Sequence, residues 1–70
     1  LSVDVVLDNR RRLEELHRER MLAQMTPLAG EPAYMADLKD EILATEAAYV
    51  AGAITEIASL RGRLGGRQWG

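Results

Sequence analysis

Leu43-Ala44-Thr45-Glu46-Ala47-Ala48-Tyr49-Val50-Ala51-Gly52-Ala53-Ile54-Thr55-Glu56-Ile57-Ala58-Ser59-Leu60-Arg61-Gly62-Arg63-Leu64 is the stretch on which the fold of this chain turns. Within it Leu43, Ala47, Val50, Ile54, Ile57, Arg61 and Leu64 recur at alternating spacings of four and three, the repeat of a coiled-coil seam. One position on, Ala44, Ala48, Ala51, Thr55, Ala58 and Gly62 keep the same rhythm with small side chains, which let a second backbone come close. A third line, Met35, Leu38, Ile42, Tyr49, Ala53 and Leu60, widens the apolar arc beyond what one neighbouring helix covers. Polar and small residues take the remaining strip at Asp37, Glu41, Thr45, Gly52, Ser59 and Arg63.

The boundaries of this helix lie on either side of the quoted stretch. Thr26-Pro27-Leu28-Ala29-Gly30-Glu31-Pro32 puts two prolines and a glycine within seven residues, which cannot continue a helix. Pro32 suits the first turn of the second helix, and Arg61 and Arg63 ahead of Gly65-Gly66 match the preferences of a helix C-terminus. The expectation is a helix from about 32 to 64, with a Gly/Arg/Trp tail over 65–70. Ahead of the turn, opposite charges four apart (Asp8/Arg12, Arg10/Glu14, Arg11/Glu15, Glu14/Arg18) and the stripe Val6, Leu13, Leu16, His17, Met21 and Met25 predict a helix over about 4–26. The Val-rich opening, Leu1 to Leu7, reads as either a short strand or the first turns of that helix.

Two helices joined by a turn over 27–31 predict an all-α antiparallel two-helix hairpin, a single domain over 1–64. A hairpin has one interface, so most of the second helix's arc would stay in water. Assembly into an oligomeric helical bundle or coiled coil is therefore expected. Its interface would be Leu43, Ala44, Ala47, Ala48, Val50, Ala51, Ile54, Ile57, Ala58 and Leu64, with the partner a second copy of the chain.

Composition agrees with a small interaction module. The 70 residues are 47% hydrophobic and 29% charged, which is not the balance of a disordered chain. Three aromatics and no Phe leave aliphatic side chains and Ala to do the packing. No cysteine is present, so disulfides, thiolate metal sites and cysteine nucleophiles are excluded together. A net charge of −2 argues against a dedicated nucleic-acid binder, and no apolar run approaches the roughly 20 residues that span a bilayer. A cytoplasmic location is expected.

Chemistry-bearing motifs are few. Glu14-Glu15-Leu16-His17 carries an E-x-x-H spacing, one turn apart on a helix, and resembles the metal-ligand motif of ferritin-like di-iron carboxylate bundles. That resemblance, confined to four residues, implies a metal site in which Glu14 and His17 are joined by a Glu of the second helix, Glu46 or Glu41. A turn centred near Ala29 places His17 near Glu41 and Glu46 opposite Arg12, so an interhelical ion pair is the simpler role for Glu46. Arg10-Arg11-Arg12 offers a nucleic-acid alternative, diluted by Asp8, Glu14, Glu15 and Glu19. Arg67 and Trp69 in the tail are candidate anchors for a second protein partner, being residue types enriched at interfaces. No nucleophile–base pair, phosphate loop or dinucleotide signature occurs, and the expectation is a non-enzymatic assembly, scaffold or adaptor module, of the kind found among small bacterial or phage accessory proteins, with no cofactor.

Overall fold

The computed structural model describes residues 2–68 and the side-chain environments of residues 2–65. It is all-α: α1 (Val3–Gln24), a 3-10 turn (Pro27–Gly30) and α2 (Pro32–Gln68). Ser2 starts α1 from an extended conformation, its hydroxyl oxygen and carbonyl both accepting from the Val5 amide, at 3.4 and 3.1 Å. Asp4 in the first turn suits the positive end of the helix dipole. The Val-rich opening is thus helix from Val3 onward, because a capped start outweighs the modest strand preference of three valines.

The end of α1 is set by Pro27, which disfavours helical geometry at Thr26 before it. Thr26 is extended, and its hydroxyl donates back to the Ala23 carbonyl at 2.9 Å while accepting from the Leu28 amide at 3.2 Å. The Glu31 carbonyl then accepts from Met35 at 3.1 Å and opens α2, with Pro32 first in the helix, where its missing N–H costs nothing. α2 does not stop at Leu64 as the glycines suggest; it runs through Gly65 and Gly66 to Gln68. Glycine ends a helix by taking a positive φ, and no described glycine does so.

The two helices run back along each other, with Glu19 meeting Tyr34 near the turn and Arg12 meeting Glu41 further out. Between these contacts lies the core of Leu16, Leu38 and Ile42, flanked by Leu13 and Tyr34. The face of α2 turned to α1 continues through Thr45, Tyr49 and Gly52, and that of α1 through Val6, Asn9, Arg20 and Ala23, all buried or half-buried. Thr45 and Gly52, which the sequence pattern assigns to an outer polar strip, therefore face inward. The turn sets the rotation of α2, and short side chains at those positions let the helices approach. Met21 and Met25, expected on the buried stripe of α1, are 66% and 83% exposed. The Cα envelope is 62 × 15 × 13 Å, the cross-section of a single helix pair with no third layer.

Candidate functional site

With α1 occupying the Leu38–Ile42 face, the outer seam of α2 has no neighbour within the described residues. Leu43, Val50, Ile54, Ile57 and Leu64 are between 47% and 60% exposed, and Ala44, Ala47, Ala48, Ala51 and Ala58 are exposed beside them. At ~100° per residue this seam lies about 130° around α2 from the side that holds α1, so both can be occupied at once. The ten residues expected at the interface are all exposed.

The two helices also differ in length. Counting from the Arg12–Glu41 contact to Val3 brings the start of α1 alongside roughly residue 50 of α2, leaving the last ~20 Å or more of α2 unaccompanied. Beyond that point, the side that α1 would have covered becomes mixed, with Glu56, Ser59 and Arg63 around an exposed Leu60. The outer seam continues through the unaccompanied part, with Ile54, Ile57 and Leu64 on either side of Arg61. The inner side is thus the more polar of the two beyond α1.

Polar contacts join the helices at two places. Arg12 donates from Nη2 to Glu41 Oε1 and also lies 3.7 Å from Glu15. The hydrogen bond to Glu41, followed by the attraction of that carboxylate, raises the Arg12 pKa above its ordinary value. The Tyr34 hydroxyl donates to Glu19 Oε2 at 2.6 Å, and this hydrogen bond is the largest cause of a raised Tyr34 pKa, with desolvation second. Neither pairing is legible in the sequence, because matching the partners needs the register to within one residue. Glu46, expected opposite Arg12, is exposed and takes no part in an ion pair among the described residues. The Arg12–Glu41 and Glu19–Tyr34 contacts are symmetric about the Thr26–Pro27 bond instead of Ala29, so Pro32 lies beside about residue 21 of α1 and Arg12 meets Glu41, about one and a half turns before Glu46.

Glu14 is exposed and His17 half-buried on α1. Among the described residues no three His, Asp or Glu side chains come together as a metal-binding group, so Glu14, His17 and Glu46 are not assembled within one chain. The arginines at 10, 11 and 12 diverge in use: Arg11 lies 3.7 Å from Asp8, and Arg12 turns to Glu15 and Glu41. The anchors expected at Trp69 and in the Arg67 side chain lie outside the described residues. An open hollow of about 320 Å³ beside the turn is lined by Glu15, Arg18, Glu19, Leu22, Ala23, Thr26, Leu28 and Tyr34. No described helix is long and apolar enough to cross a membrane. No protein-family model matches the chain, and no match is found among curated proteins or solved structures.

Proposed function

We propose that this chain is a non-enzymatic assembly module, a helical hairpin that self-associates through the outer seam of α2. The observation that carries this reading is the seam Leu43, Val50, Ile54, Ile57 and Leu64, which stays about half exposed after α1 has packed. Surface area supports it. A compact monomer of 7.8 kDa exposes about 4,400 Å². This chain exposes 5502 Å², and the excess of roughly 1,100 Å² is of the order of the ~800 Å² that each partner contributes to a standard interface.

A repeat of four and three suits a second copy, because a helix carrying it is complementary to itself by knobs-into-holes packing. The alanines alongside permit close approach. The mechanism is burial of apolar area, with α1 covering the inner face of each α2 and leaving the outer face to the partner. As a scaffold or adaptor, such an assembly would present α1 and the C-terminal end of α2 outward for other proteins.

Native mass spectrometry across a concentration series tests the reading. The wild-type chain is expected as a discrete oligomer, and Ile54→Asp as a monomer with helicity retained, since an unpaired charge would be buried at the seam while the intrachain core is untouched. A monomeric wild type, or an Ile54→Asp variant with the wild-type mass, overturns it.

A further inference from the structure

The charges flanking and interrupting the outer seam differ between its two ends. The first half of α2 carries Asp37, Asp40, Glu41 and Glu46 against the single Lys39, whereas Arg61, Arg63 and Arg67 come after Glu56. Two of these charges occupy the seam itself. Asp40 stands at the position three before Leu43, and Arg61 between Ile57 and Leu64. Both are exposed, and neither enters an ion pair among the described residues. Glu41, by contrast, is already engaged by Arg12.

We infer that the second copy docks on this face antiparallel, so that Asp40 of each chain meets Arg61 of the other; the inference rests on the self-association reading. In a parallel pair, equivalent seam positions face each other. Asp40 would then oppose Asp40 and Arg61 would oppose Arg61, two like-charge layers at the ends of one short interface. Antiparallel packing replaces both repulsions with attractions. The symmetric register that covers the whole exposed seam sets Val50 against the partner's Ile54, two branched side chains, and Ala47 against the partner's Ile57, small beside large. It leaves the Asp40 and Arg61 backbones about 4.5 Å apart along the axis, a step an arginine side chain spans easily. The same register brings Ala44 beside the partner's Ala58, and Ala51 beside Ala51, so the small row becomes the line of closest approach.

The chain has no cysteine, so single introduced thiols report this geometry without background. The test cross-links Ala44→Cys, Ala58→Cys, their equimolar mixture and Ala51→Cys with a short bis-maleimide, alongside sedimentation of the wild type. Antiparallel docking gives cross-linked dimer in the mixture and in Ala51→Cys, and little in Ala44→Cys or Ala58→Cys alone, whose thiols would sit roughly 21 Å apart. Efficient cross-linking of Ala44→Cys and of Ala58→Cys to themselves overturns the orientation while preserving self-association. A wild type that sediments as monomer, with no Ala51→Cys dimer, overturns both. As a second readout, Asp40→Arg weakens dimerisation about tenfold and the double variant Asp40→Arg/Arg61→Asp restores it; equal affinities for wild type, single and double variants overturn the pairing.

Discussion

Arg12 of α1 and Glu41 of α2, separated by 29 positions in sequence, are joined by a hydrogen-bonded ion pair that spans the two helices. Both side chains are about half exposed, so water screens the pair and its weight lies in register more than in stability. Arg12→Ala and Glu41→Ala are each expected to lower the melting temperature by less than about a quarter of the effect of Leu16→Ala. The double variant should lose less than the sum, and the coupling should fall in high salt. Thermal melts monitored by circular dichroism check this, and full additivity would remove the pair as an interacting unit.

Leu16 is fully buried against Leu38 and Ile42 in a core of few residues. Leu16→Ala should cost about 2–5 kcal/mol by removing packed methyl groups and leaving space behind. For a chain of this size that is a large share of total stability. Met21→Ala, at a position 66% exposed, should change stability by no more than about 0.5 kcal/mol. Urea titration of both variants separates the two faces of α1.

Tyr34 gives a pH signature. Its phenol is neutral when it donates to Glu19, and that contact raises its pKa in the folded chain above the unfolded value of about 10. The contribution is therefore fully present below pH about 10 and lost as pH rises through the higher folded-state value. Wild type and Tyr34→Phe should differ in melting temperature near neutrality and converge on the alkaline side. Parallel profiles over that range would show that the hydrogen bond carries none of the difference.

Gly62 and Gly65 lie within α2 with helical φ and with nothing within 4 Å of where a Cβ would stand. Gly62→Ala and Gly65→Ala should each favour the helical end of α2 by up to about 1 kcal/mol. Circular dichroism should report more helix in both, most clearly in the double variant. A loss of helicity would mean that a partner helix approaches the backbone at these positions.

Much of the architecture was legible locally. Two prolines and a glycine over 26–32 locate the break, because proline restricts the residue before it and lacks an N–H. The line Leu38, Ile42, Tyr49 and Ala53 was readable as apolar, as was the seam from Leu43 to Leu64. Which of them α1 would cover was not. Choosing between two apolar faces on one helix depends on how the turn rotates α2, and a sequence pattern repeats identically under that rotation. The same gap explains Glu46: a shift of about one and a half turns in register passes Arg12 to Glu41.

Local sequence is enough to make this protein helical, to place the break between its helices, and to give α2 more apolar surface than one neighbour can cover. These properties arise from backbone sterics and from the 3.6-residue period, which depend on nothing outside each segment. Packing in three dimensions was needed to put α1 on the Leu38–Ile42 side, to turn Thr45 and Gly52 inward, and to leave the outer seam and the far end of α2 uncovered. Those outcomes depend on the rotation and offset imposed by the turn over 25–31, where Thr26, Pro27 and Glu31 aim one helix back along the other.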